Sequence, residues 1–378
     1  MKVLQIGTFP YPSPQGSQVY VKSILLGLAR LGHEVHLLCY GHGIGSTELE
    51  ESLGIHIHRT PSLFGYSNMR AGPDAVKPFL DAWMALKLRH IRPDIVHVHN
   101  YEAPLVAILG KALSRQLRRV PIVYSAHNTM GEELSTYFSG ARTKKWMSRF
   151  GLFLDKTIPR LADQTLVLRP ESISMLKKLG CQNVLSILPG ISPDEFLDLE
   201  ILRQIKPKGM ESGQWVVYAG NPDAYQNLEI LMKAMDCIPD IGLVMVSASD
   251  TQQWQRAQGH ILRIQTTDFR EVQRVIANAD LAVIPRIQCA GFPMKLLNYL
   301  ALECVTLVSE GSFVDLPGAI CFLNGDVASL VQKLKGLLDD ETHRITLGKR
   351  GRESVFHSCT HQIQALRLAD IYSNLLKS

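Results

Sequence analysis

What most restricts the fold of this chain is a rhythm: short apolar runs alternate with longer helical stretches, break off once, and start again. Residues 2–9 read as a strand, 17–31 as a helix stopped by Gly32, and 33–40 and 54–60 as two further strands. Helical periodicity at 75–91 and 102–118 brackets DIVHVHN at 94–100, a strand with Ile95, Val96 and Val98 as its apolar bulk. Strands follow at 121–127, 164–169 and 184–189. Largely apolar strands separated by helices imply parallel sheets buried on both faces. Residues 198–214 then interrupt the pattern with Pro207, Gly209 and Gly213 among charges, and read as a linker. Strands resume at 215–220, 242–248, 261–265, 281–285 and 305–309, with a helix at 226–235.

A chain of 378 residues is long for one core, so two domains are expected. The expectation is an α/β protein of two Rossmann-like, doubly wound domains: residues 1–197, a linker at 198–214, and residues 215–360. The amphipathic helix at 361–378 can pack back on the first domain. In such sheets ligands sit at the carboxyl ends of the strands, and two facing domains would offer a cleft between them. The candidate loops are 10–17, 100–102, 127–133, 221–227 and 286–293.

Several function classes drop out. The seven cysteines (39, 181, 237, 289, 304, 321 and 359) are odd in number and form no CxxC, which fits reduced thiols better than a disulfide or zinc framework. The N-terminal run lacks the layout of a signal peptide, and no apolar run is long enough to cross a bilayer. A cytoplasmic protein is expected. Its charge is uneven: residues 1–190 carry 22 Lys+Arg against 13 Asp+Glu, or +9, and residues 191–378 carry 18 against 22, or −4. Much of the excess lies in KALSRQLRR at 111–119 and in residues 142–156. The latter interleave Arg142, Lys144, Lys145 and Arg149 with Trp146, Met147, Phe150 and Phe153. Two readings stand: an amphipathic helix with a solvated basic face, or a surface that docks at the membrane on anionic head groups or a lipid-phosphate substrate. No nucleic-acid motif accompanies the charge, so nucleic acid is not an expected partner.

The loop TFPYPSPQGS at 8–17 is stiffened by three prolines, and Gly16 lets the backbone approach a ligand just before a helix begins. Free N–H groups at a helix start suit phosphate, although the loop serves equally as a plain strand–helix connection. Neither this loop nor GHGIG at 41–45 is a Walker A or GxGxxG motif. His127 ends a strand in VYSAHN, where it can bond a sugar hydroxyl or a phosphate, move a proton, or merely satisfy its neighbours. His97 and His99, two apart, share one strand face and are as readily structural as functional. In CAGFPMKLLNYLA at 289–301, Pro293 suits the first turn of a helix, with Met294, Leu297 and Ala301 facing the core. Lys295 and Asn298 share another face. With the backbone of Gly291 and Phe292 they suit a phosphorylated, hydroxyl-rich ligand: Lys295 for charge, Asn298 for a ribose diol. A capped helix with a solvated lysine is the plainer alternative. The chain has no Asp-x-Asp, so no divalent metal site is expected.

Taken in order, these phrases resemble the retaining glycosyltransferases of the GT-B fold, family 4, also called group 1. The loop with Gly16, LARLGHEVHLLC at 28–39, DIVHVHN, VYSAHN, VVYAGN before LEILMKA, ANADLAVIPR and GFPMKLLNYLA follow family order over nearly the whole chain. The resemblance implies a sugar transferred from a nucleotide-diphosphate sugar with retention at the anomeric carbon. Gly16 (with Ser17) would approach the donor phosphate and His127 the transferred sugar. Gly291, Phe292 and Pro293 would bring backbone to sugar and phosphate. The sequence departs from the pattern at four places. The family's two glutamates, separated by seven residues, map to Ala290 and Asn298, and its diphosphate-clamping Arg and Lys map to Asn221 and Gln226. Arg286 and Lys295 are the local candidates to replace that charge.

The first reading is therefore a metal-independent retaining glycosyltransferase with no cofactor, the nucleotide sugar being its substrate. Its donor set is Gly16, Ser17, Asn221, Gln226, Arg286, Gly291, Phe292, Pro293, Lys295 and Asn298, with His127 in the catalytic position. The acceptor would be a glycan or a lipid-linked hydroxyl. The departures motivate a second reading, a catalytically silent sugar-nucleotide-binding or partner subunit. A third, a sugar-nucleotide epimerase, would want more acid–base carboxylates than the motifs provide.

Overall fold

A computed structural model describes residues 1–13, 15–62, 65–69, 74–286 and 291–377. The chain forms two compact units. The first comprises residues 1–190, 290–292 and 361–378, and the second comprises 191–289 and 293–360.

The first unit is built on seven strands: β1 Lys2–Pro10, β2 Glu34–Tyr40, β3 His56–Arg59, β4 Ile95–His99, β5 Ile122–Ala126, β6 Gln164–Val167 and β7 Val184–Ser186. They lie in the order β3-β2-β1-β4-β5-β6-β7 and every pairing is parallel. Covered on both faces, β4 and β5 are buried at every position, the histidines of β4 included. One face packs Leu4, Ile6, Val96, Val98 and Tyr124 against Leu80, Met84 and Leu88 of the helix Lys77–Ile91. On another side of the unit, helix Gly16–Arg30 meets helix His361–Lys377, where a Cβ on Gly27 would fall 2.6 Å from the His361 carbonyl oxygen. Only a residue without a side chain allows that approach.

The second unit repeats the winding with six strands: β8 Trp215–Ala219, β9 Gly242–Ser247, β10 Ile261–Gln265, β11 Leu281–Ile284, β12 Val305–Ser309 and β13 Ala319–Phe322. Their order is β10-β9-β8-β11-β12-β13, again all parallel. β13 was not foreseen, because AICF offers only four residues after a Pro-Gly turn. The segment read as linker contains a helix, Leu199–Gln204, whose first turn is capped by the Asp198 carboxylate accepting from the Glu200 and Ile201 amides.

Among the described residues the cysteines are free thiols, with Cys289 outside that set. No helix of the described residues is long and apolar enough to cross a membrane.

Candidate functional site

In the first sheet the chain reverses its winding between β1 and β4, and the carboxyl ends of strands at such a reversal are where ligands bind in these folds. A pocket opens there, lined by Ser17, Gln18, Lys77, Glu102, His127 and Glu133 among others. Gly16 is exposed and opens the helix beside it.

His97 and His99 are on one strand face, as their spacing requires, and both are fully buried. His97 Nδ1 lies 2.6 Å from the Tyr372 hydroxyl and its Nε2 2.8 Å from Ser125 Oγ. His99 Nε2 is 2.7 Å from Gln5 Oε1, and its Nδ1 is 3.1 Å from His127 Nε2. The Tyr20 ring stands edge-on to His127 at 4.9 Å. Burial pushes the imidazolium form of His127 down to about pH 3, and does the same to His97. A histidine so placed rests in its neutral form at physiological pH, able to make hydrogen bonds through both ring nitrogens. Its Nδ1 is buried without a partner among the described residues, and Gln18 Oε1 and Thr129 Oγ1 share that state.

Three charged residues of this pocket carried no motif and were not singled out from sequence. Burial raises Glu102 to about pH 7, partly opposed by Lys77. It also raises Glu133, which accepts from the Tyr137 hydroxyl and Asn128 Nδ2. Both acids sit at the ends of loops already suspected, 100–102 and 127–133, and that position was the available signal. Gly291 and Phe292 group with this unit. A Cβ on Gly291 would come within 2.3 Å of Asn128 Oδ1, which explains the glycine.

The basic stretch is helical over Ala141–Thr157. Arg142, Lys144, Lys145, Trp146 and Arg149 are all exposed. Trp146, Phe150 and Phe153 stack along one outward stripe, with ring centroids 6.0 and 6.2 Å apart. Gly151 and Asp155 form the inner face, where Asp155 accepts from the Met130 and Gly131 amides.

The second sheet reverses between β8 and β11. Tyr299 pins the end of β8, its hydroxyl 2.7 Å from the Ala219 amide and 3.1 Å from the Ala219 carbonyl. Helix Met294–Ala301 starts after Pro293. Its buried residues are Leu296, Leu297, Tyr299, Leu300 and Ala301, whereas Met294, expected in the core, is half-buried. Lys295 reaches back over the Tyr218 ring, 4.2 Å from its centroid, and donates to Tyr218 Oη at 3.0 Å and Gln226 Oε1 at 3.2 Å. The ammonium thus lies against the residue that occupies the family's lysine position. Arg286 is buried and donates to Ser312 Oγ at 3.0 Å. Asn221 is tied to Asp223 at 2.6 Å, and Asn298 is half-buried. Ala290, the other glutamate position, lies outside the described residues. Among the described residues the one group of ligand atoms close enough for a metal is Glu34, His36 and His56, at the amino ends of β2 and β3, away from both strand-end sites.

Residues 14–195 match the family model described as Glycosyltransferase Family 4, and residues 213–340 match Glycosyl transferases group 1. The chain belongs to the family 4, group 1 glycosyltransferases. Membership of an enzyme family does not favour the silent-subunit reading. The chain is 23% identical over 290 residues to sulfoquinovosyl transferase SQD2 of Arabidopsis thaliana, covering 71% of the chain and 54% of the relative. The chain thus spans about half the length of that curated relative. Among solved structures, sucrose-phosphate synthase (tll1590) from Thermosynechococcus elongatus aligns over 100% of both chains with a TM-score of 0.77 at 17% identity. Anabaena Alr3699/HepE in complex with UDP and glucose aligns over 99% of both with a TM-score of 0.70 at 14% identity. At such identities the two structures speak for the fold, GT-B with two Rossmann-like domains.

Proposed function

We propose that this glycosyltransferase moves a sugar from a nucleoside-diphosphate sugar to an acceptor hydroxyl, with retention and without a metal ion. The observation that carries the reading is the Lys295 ammonium against Gln226. By the family resemblance Gln226 takes the place of a diphosphate-clamping lysine, and the ammonium beside it would supply that charge from a different element. Helix Met294–Ala301 adds the positive end of its dipole beside it. That solved neighbours are complexes with UDP, UDP-glucose or ADP supports the same donor class.

In this reading Lys295 and Arg286 neutralise the leaving diphosphate. Asn298 bonds the ribose, and His127 bonds a sugar hydroxyl. The leaving diphosphate oxygen takes the proton of the acceptor hydroxyl, so no protein nucleophile is required. The pocket of the first unit receives the acceptor, where Glu102, Glu133 and Lys77 offer acceptors and a donor to hydroxyls. Helix Ala141–Thr157 rests on an anionic membrane surface through Trp146, Phe150 and Phe153, with the flanking cations on head groups. That arrangement suits a lipid-linked acceptor.

The deciding experiment is calorimetry of UDP, GDP and ADP with the full chain and no added metal. One nucleotide binding clearly, and weakening on Lys295→Gln, supports the reading and fixes the base. No binding of any of the three at millimolar concentration would remove it.

A further inference from the structure

The contact between His127 and His99 is one link of a longer buried chain, and the chain has a direction. Gln5 lies beside His97 in the β1–β4 register, and its amide reaches two partners. Its Nε2 faces the Tyr372 hydroxyl at 3.4 Å and its Oε1 faces His99 Nε2 at 2.7 Å. An amide oxygen only accepts, so His99 Nε2 must carry the hydrogen. A neutral imidazole has one N–H, so His99 Nδ1 is bare and accepts from His127 Nε2–H. His127 in turn is left with a bare Nδ1, the buried atom without a partner. Beyond Gln5 the order continues. Tyr372 accepts from the amide and gives its own hydrogen to His97 Nδ1, and His97 Nε2–H is given to Ser125 Oγ. Turning the Gln5 amide over would reverse the bonds to His99 and His127. It would also make the 3.4 Å contact an O–H···O bond, far beyond the usual 2.5–3.0 Å or so, whereas it is only a long N–H···O bond now.

We infer that Gln5, His99 and Tyr372 are positioning residues that hold His127 as a hydrogen-bond acceptor through Nδ1, so that it selects a ligand hydroxyl and turns away phosphate oxygens and ionised carboxylates. A bare ring nitrogen meets a hydroxyl favourably, whereas against a phosphate oxygen it sets lone pair against lone pair. The inference rests on the transferase reading only for the identity of the hydroxyl, which is then one on the sugar. The arrangement is a property of the free protein and can be read without any substrate.

The test is nitrogen NMR on the full chain labelled with ¹⁵N-histidine, with the His127 signals assigned by their loss in His127→Ala. The expected result is a protonated Nε2 and an unprotonated Nδ1 at His127, unchanged between about pH 6 and 8. A protonated Nδ1 would overturn the inference. Gln5→Met removes the amide at similar volume and should let His99 and His127 populate both tautomers, with transfer falling about tenfold in kcat at unchanged nucleotide affinity. Gln5→Glu, which can still accept from His99, should retain the native His127 signals. If Gln5→Met folds and leaves the His127 tautomer as it was, the relay is wrong whatever the turnover. If the tautomer is as stated and no nucleotide sugar is turned over, the transferase reading fails and the relay stands. The wild-type spectrum decides the main point even if a variant does not fold.

Discussion

The two units share one winding, yet each keeps at its strand ends the charge its overall composition lacks. The first half of the chain carries +9. Its pocket nevertheless gathers neutral imidazoles and the carboxyl groups of Glu102 and Glu133 around Lys77, while cations such as Lys144 and Lys145 stand outside on the helix Ala141–Thr157. The second half carries −4 and turns Arg286 and Lys295 inward, against Ser312, Tyr218 and Gln226. Net charge therefore predicts what approaches a unit from solution, and says little about what its site holds. A parallel sheet fixes where ligands bind, and the few side chains at the strand ends fix which ones.

The largest test addresses the outer charge of the first unit. Lys144→Glu with Lys145→Glu changes the local charge by four, and at about 1 kcal/mol per charge near an anionic surface should lower vesicle partitioning on the order of 10³-fold at low salt. Sedimentation with phosphatidylserine vesicles measures it, and equal binding by the mutant would leave those cations merely solvated. Next is the inner charge of the second unit. Lys295→Gln should weaken nucleoside diphosphate binding by roughly 10- to 100-fold in calorimetry, the size of one lost charge-assisted bond. An unchanged Kd would shift the role to Arg286.

His127→Ala should lower transfer about tenfold or more in kcat/KM while leaving nucleotide affinity alone, since only the first unit changes. A separate effect is in stability rather than in binding or turnover. Glu102 is held at about pH 7 in the folded chain, above its unfolded value near 4.5. Between those values the native state binds more protons than the unfolded state, so stability falls as pH rises, by ~3 kcal/mol at most. Glu102→Gln should flatten that part of the denaturation profile measured from about pH 4.5 to 7.5. A profile parallel to the wild type would place Glu102 in contact with solvent.

Most of the architecture was legible because parallel strands buried on both faces announce themselves as apolar runs. Strands 261–265 and 305–309 agree with Ile261–Gln265 and Val305–Ser309; most of the rest end one to three residues sooner at the carboxyl end, while β1 runs one residue longer, to Pro10. In the site, the loops were legible and the partnerships were not. Lys295 and Gln226 are 69 residues apart, and nothing local tells a lysine on a helix start to lie over Tyr218 rather than in solvent. Glu102 and Glu133 look like ordinary surface acids until burial is known. His97 and His99 were undecidable from DIVHVHN alone, because the groups that orient them, Tyr372 and Gln5, lie 275 and 94 residues away.

That distance also sets a timetable. Tyr372 bonds His97 and Gln5 across 275 and 367 residues of chain, so during synthesis the first unit can form its sheet long before its polar core is closed. Until residue 372 has left the ribosome, the nascent domain holds its histidines without the group that orders them, and it closes that core only after the whole second unit has been made.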